Sequence, residues 1–265
     1  MSDTQVPPPA NDSIAGSRGL PLFYRDPRPL DPNVLGNYGL KRGKAFSFAA
    51  ASHAVPISLA EFALAQKHYP IVFAPGDPPL PLVALSLMSN ENLFVDAAGN
   101  WAEDCYVPAY IRRYPFVLGE VPNEDRMFLC VDVGAEHVTD QLPDVPFFEG
   151  QKPSEVVNQA LELCRRFHED LAITKAYCAE LHKQNLLRET NLNYTGPDGQ
   201  QVVAGSFVTI DPEGFDQLSD SMFTDYRRRG MLPPIYLQQA SQSNWARLAM
   251  RKQKLLSQPV DRSIN

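Results

Sequence analysis

The period of the apolar positions changes several times along the chain, and each change marks an element. In the stretch from Ser58 to Tyr69, Leu59, Phe62, Ala63 and Gln66 recur on one face, which predicts a helix. Ser58 and Glu61 form a capping box at its start, and Pro70 stops it. The apolar run Ile71-Val72-Phe73-Ala74 predicts a short strand. Residues 82–88, apolar almost throughout, predict a central strand, and residues 92–96 a third. Ala97-Ala98-Gly99-Asn100 turns the chain back at Trp101, so this region reads as an antiparallel hairpin. Residues 102–114 predict a short helix with Tyr106, Tyr110 and Arg113 on one face and Pro108 near its start. Pro115 ends it, and strands follow at residues 116–119 and 127–133. Residues 134–150 are an irregular, acidic connection.

From Ser154 a helical period runs through Val157, Cys164, Phe167, Leu171, Cys178 and Leu181 to Leu187, as one helix or as two bent near residues 170–174. Residues 191–198 are polar and contain the turn signal Pro197-Asp198-Gly199. Residues 201–210 predict a strand, and Asp211-Pro212 starts a short helix. Ser219 opens another, with Gly230 at its C′ position. Residues 235–256 predict a last helix with Tyr236, Leu237, Trp245, Leu248 and Ala249 as its apolar positions. At the ends, residues 1–19 are too polar and Pro-rich to order themselves, and residues 257–265 fray. Residues 20–38 form an extended arm anchored by Leu22, Phe23 and Tyr24. The expected fold is α+β, a mixed, largely antiparallel sheet with flanking helices and a mainly helical C-terminal half. Residues 20–150 make an α+β N-terminal half, and residues 151–256 a mainly helical half with one strand, packed with the first as one compact unit.

Composition narrows the function classes. The 265 residues are 44% hydrophobic, enough to bury a core without disulfides, and carry a net charge of −7. That balance speaks against a general nucleic-acid binder. No apolar run approaches the roughly eighteen residues of a membrane span, so no membrane insertion is expected. The start of the chain lacks the apolar core of a secretory signal. Cys105, Cys130, Cys164 and Cys178 show no CxxC spacing, and a reduced, soluble, cytoplasmic protein fits them.

Candidate chemistry concentrates in residues 91–116. Trp101, Tyr106, Tyr110, Arg112, Arg113 and Tyr114 are the residue types that dominate interface hot spots, and they could hold a peptide or a carboxylate. The plainer alternative makes the aromatics core and pairs the arginines with Glu103, Asp104 or Glu120. The binding reading expects Arg112 and Arg113 exposed beside a groove. Lys41, Arg42 and Lys44 form a basic cluster in an acidic chain, either a solvated turn or an anion contact. Arg227-Arg228-Arg229 at a helix C-terminus is explained by the helix dipole. The sequence has no HExxH, GxSxG or phosphate-loop motif, so no catalytic residue, metal ligand or cofactor is assigned. Cys105 follows an acidic residue, which disfavours a nucleophilic role.

The segments VPISLAEFALAQKHYPIVFA, NLFVDAAGNW, YVPAYIRRYPF and MFLCVDV resemble the SapC-like bacterial proteins, as do GSFVTIDPEGFDQLSD and RRRGMLPPIYLQQASQ. Where that family leads one to expect a Tyr-Ala-His-like run, this chain reads Ile235-Tyr236-Leu237-Gln238. The resemblance implies an accessory role in surface-layer assembly or transport, or in uptake beside an outer-membrane receptor, and carries no active site. The leading expectation is a non-catalytic accessory protein that binds a protein or peptide partner. The alternatives are an enzyme whose site gathers two or more of His53, His68, His137 and Asp96, and a structural subunit of a surface layer.

Overall fold

Buried hydrogen-bonding side chains, as much as apolar patterning, decide where the elements of this chain join. The computed structural model describes residues 19–43, 45–120, 126–195 and 201–257. Nearly all of both expected tails, Lys44 and the Pro197-Asp198-Gly199 turn lie outside the described residues. The class is α+β, and every strand pairing among the described residues is antiparallel. The chain divides into two units that interleave along the sequence, Met1–Phe48 with Ala109–Glu169, and Ala49–Pro108 with Asp170–Asn265. Each draws on both sequence halves.

In the first unit, strand Met127–Asp132 lies between Pro27–Pro29 and Phe116–Glu120. A second small sheet sets Gly39–Leu40 between Val138–Thr139 and Val145–Pro146. Gly39 is required there, because a Cβ would sit 2.3 Å from the Val145 carbonyl oxygen. Tyr24, Leu35, Tyr114, Phe116, Val131, Phe147 and Cys164 share one core, the last contributed by the first half of helix Glu155–Lys183. The arm packs as expected, with Tyr24 buried and its hydroxyl donating to the Phe116 carbonyl at 2.5 Å. Asp132 is fully buried. Its carboxylate accepts the N–H groups of Arg25, Asp26 and Gly134 at 3.0, 2.7 and 3.1 Å, and the Tyr114 hydroxyl at 3.0 Å.

The second unit holds a five-stranded sheet in the order Leu187–Thr195, Gln201–Ile210, Ile71–Ala74, Leu80–Ala84, Ala54–Pro56. Its core joins Phe73, Cys178, Leu181, Ile210, Tyr226 and Ile235. Helix Asp220–Arg228 ends as the glycine predicts. Gly230 has φ +70°, its N–H donates to the Arg227 carbonyl, and the Met231 N–H reaches the Tyr226 carbonyl at 2.9 Å. Helix Leu232–Ser241 docks through polar groups: Gln238 Nε2 donates to the Ile71 carbonyl at 2.9 Å, and the Ile71 N–H donates to Ser241 Oγ at 2.9 Å.

Several local expectations change. Residues 92–96 form no strand, since Phe94 N–H turns onto the Asn92 side chain at 2.9 Å and only Val95 bridges Trp101. The tight turn is present, with Asp96 and Asn100 bonded across it. The expected 102–114 helix shrinks to Ala109–Arg112, because Asp104 takes φ +59° and Pro108 lacks an N–H. The 58–69 helix is a 3-10 turn, Leu59–Glu61, followed by Phe62–Ala65. The polar segment after residue 191 belongs to strand Leu187–Thr195, held in register by its hairpin partner Gln201–Ile210. Helix Glu155–Lys183 is continuous, and the last helical pattern splits into Leu232–Ser241 and Asn244–Ser257. Tyr236, read as apolar face, is 48% exposed.

Removing the Asp132 carboxylate would leave three backbone donors and a phenol without their acceptor. Asp132→Ala is expected to lower stability by about 3–5 kcal/mol in urea unfolding. Asp132→Asn, which keeps one acceptor oxygen, should cost less. Equal, sub-kilocalorie effects of both would mean the carboxylate is not the organiser of this unit.

Candidate functional site

The loop that leaves Gly39–Leu40 is pinned through its backbone. Lys41 N–H donates to the His137 carbonyl at 2.8 Å, and Arg42 N–H donates to Asp144 Oδ2 at 2.9 Å. The Lys41 ammonium stands 3.8 Å from Asp144 Oδ1, an exposed pair of small energetic value. Beyond the loop, the 3-10 turn Ser47–Ala49 carries Phe48, whose ring centroid lies 4.2 Å from that of Tyr114. His137 stacks on Phe48 at 6.4 Å and packs tilted against Tyr114 at 5.6 Å.

Lys41, Arg42, Phe48, Tyr114 and His137 line a cleft of about 560 Å³ in the first unit. Its apolar walls include Phe46, Phe48, Ile111, Tyr114 and Phe116, closed on one side by Val156, Ala160 and Leu163 of the long helix. Lys41, Arg42 and Arg112 also line it, all three exposed, and its described lining residues include no carboxylate. Burial pushes the Tyr114 hydroxyl pKa up, and the adjacent Asp132 carboxylate adds to the effect, so the phenol stays protonated. Burial also holds the His137 imidazole below its ordinary pKa, and outweighs the opposing pull of Asp132 and Glu136. At neutral pH the exposed positive charge on the cleft therefore comes from Lys41, Arg42 and Arg112. Chemically the cleft offers guanidinium forks for a carboxylate above an aromatic floor.

The six residues singled out in the sequence separate. Arg112 is exposed on the cleft and Tyr114 is buried in its wall. Arg113, expected to be exposed, is instead 97% buried (relative exposure 3%), with its guanidinium 4.3 Å from the Tyr110 ring, 4.8 Å from Phe167 and 5.9 Å from Tyr24. Three aromatic faces can hold a buried cation where a polar groove was anticipated. Tyr110 is fully buried beneath it and donates its hydroxyl to the Leu22 carbonyl at 3.3 Å. Trp101 and Tyr106 belong to the second unit. Trp101 Nε1 donates to the Tyr69 hydroxyl at 3.1 Å, and the Tyr106 hydroxyl donates to Glu61 at 3.0 Å. Glu61 also receives the Ser58 N–H at 2.9 Å, so the predicted capping box is formed.

Phe46, Phe48, His137 and the helix face at Val156 and Ala160 complete the cleft without having been foreseen. The available signal was the basic run Lys41-Arg42 followed by alternate aromatics. The histidines do not gather: His137 lines this cleft, His68 and His53 line two different cavities of the second unit, and Asp96 is bonded within its own turn.

Fold and cleft together define an α+β protein with a cationic, aromatic-floored cleft. The SapC family model matches residues 30–248, and the chain belongs to the SapC family. No curated protein and no solved structure matches it. No helix of the described residues is long and apolar enough to cross a membrane.

The depressed His137 pKa fixes the sign of a pH effect. The unfolded chain protonates this group near pH 6.5, while the folded chain resists, so stability is full above about 6.5 and falls as pH drops below it. His68 is shifted the same way by burial, Arg247 and Lys67. The urea midpoint is expected to fall from pH 7.5 to pH 5, and to fall less in His137→Gln, with the remainder carried by His68. An identical pH slope in the variant would contradict the burial of His137.

Proposed function

We propose that this SapC-family chain is a non-catalytic accessory protein that binds another protein by taking an acidic peptide segment with apolar side chains into the first-unit cleft. The observation that carries the reading is convergence. Lys41 and Arg42 from one stretch and Arg112 from another line one aromatic cleft whose described lining residues include no carboxylate. A peptide carboxylate would take the guanidiniums, and neighbouring side chains would stack on Phe46, Phe48 and Tyr114. The resemblance that named the family supports a surface-layer, transport or outer-membrane-receptor uptake setting. The four free cysteines support action in the reducing cytoplasm.

The test is a pull-down of the tagged full chain from its native organism, read by quantitative mass spectrometry, with an Arg42→Ala/Arg112→Ala variant in parallel. A partner enriched by the wild type should fall by roughly tenfold or more with the variant, as expected for two lost charge-assisted contacts, and should elute as salt rises. A partner held equally by both proteins would remove the cleft as its seat. Absence of any partner at low salt would remove the binding reading itself.

A further inference from the structure

The second unit has a cavity of its own, about 270 Å³, lined by His68, Phe94, Cys105, Arg247, Met250 and Arg251 among others. Cys105 is the half-buried exception among the four thiols, since Cys130, Cys164 and Cys178 are buried. Burial alone pushes the thiols of Cys130 and Cys178 up to about 12, which keeps both protonated and unreactive. Cys105 has different company. Arg251 Nη2 lies 3.9 Å from its sulfur, and the same guanidinium is held in place by donating Nη1 to the Leu93 carbonyl at 3.0 Å and by lying 4.3 Å over the Phe94 ring. Arg247 is likewise anchored, its Nη1 donating to the Lys67 carbonyl at 2.7 Å. The acidic neighbours Glu103 and Asp104 are exposed and are not among the residues that line the cavity. The described lining residues thus place two fixed cations and an imidazole around one accessible thiol, with no carboxylate among them.

We propose that this cavity is a modification site: Cys105 exchanges with small anionic disulfides, which Arg247 and Arg251 recruit by their carboxylates. In the exchange the Cys105 proton passes to solvent and its sulfur attacks one sulfur of the reagent. A Cys105–S–S–R bond forms, the reagent's S–S bond breaks, and the departing half leaves as a thiolate with the electron pair. Cys105 is oxidised and half of the reagent is reduced, so no further oxidant is needed. The inference stands apart from the peptide cleft and does not depend on it.

The native full chain would be treated with three disulfides that differ in charge: the dianionic dithiobis(nitrobenzoate), neutral hydroxyethyl disulfide and cationic cystamine. One thiol per chain should react under native conditions and all four after unfolding, with mass spectrometry placing the native adduct on Cys105. The anionic reagent should outpace the cationic one by roughly tenfold beyond their ratio toward a free cysteine peptide, as electrostatic focusing in a charged cleft allows. Added salt should erase that preference. Arg247→Gln and Arg251→Gln should each shrink it, and the wild-type charge series and salt series stand even where a variant fails to fold. A native chain with no reactive thiol, an adduct elsewhere, or a rate order indifferent to reagent charge would each overturn the proposal.

Discussion

The Asp132 carboxylate is the constraint on which the first unit depends. A buried carboxylate is tolerated only when its lone pairs are taken, and here they receive three backbone N–H groups and one phenol. The four donors come from three pieces of architecture. Arg25 and Asp26 lie on the arm just ahead of strand Pro27–Pro29, Gly134 opens the connection after strand Met127–Asp132, and Tyr114 follows the short helix Ala109–Arg112. One side chain therefore fixes the arm, the strand end and the tyrosine together. Tyr114 is also the wall on which Phe48 and His137 pack. The cleft's shape is in this way a consequence of how a carboxylate was satisfied some residues away from it.

The second unit solves a similar problem with neutral groups. Ile71 begins a buried strand, and its own N–H and carbonyl are bonded by Ser241, Gln238 and Gln242. Asn244 bonds the Gln66 and Tyr69 carbonyls at 2.7 and 3.1 Å. Gln238, Ser241 and Asn244 are all buried, so each bond replaces water that those backbone groups would otherwise lose. Such a seam adds little net energy per bond but penalises any slippage of the helix along the strand, because a shifted helix would strand several buried polar atoms at once. Gln238 stands in the run where the family resemblance led one to expect another sequence, and its place in the seam is structural.

This seam also marks the limit of what the sequence disclosed. Apolar periodicity found the strands around Ile71, Phe116 and Met127 and the long helix from Glu155, since burial there follows a simple repeat. Proline, glycine and capping signals found the Ser58–Glu61 box and the Gly230 helix end. QQASQSN, by contrast, is polar almost throughout, and nothing local reveals that three of its polar side chains are buried. The stretch around Trp101 misled for a related reason: aromatic, arginine-rich composition is shared by binding surfaces and by buried cation–aromatic packing. Arg112 and Arg113 are adjacent, yet one is exposed on the cleft and the other is enclosed by Tyr110 and Phe167. Which arginine faces outward is set by Phe167 and Tyr24, far away in sequence.

Net charge is a poor guide to either cavity. The chain is acidic by seven charges, which argues against indiscriminate binding to polyanions. Within roughly 8 Å, the screening distance at physiological salt, only neighbouring groups matter. Asp144 illustrates how a local positive field survives in such a protein: its carboxylate is engaged by the Arg42 backbone N–H and only loosely by the Lys41 ammonium, so the Arg42 side chain keeps its charge for the cleft. In the other cavity Arg247 and Arg251 spend their hydrogen bonds mainly on backbone carbonyls, which orient a guanidinium without neutralising it. A chain whose net charge opposes polyanions at long range can thus keep a positive field at short range, where its cations are held by carbonyls and aromatic faces.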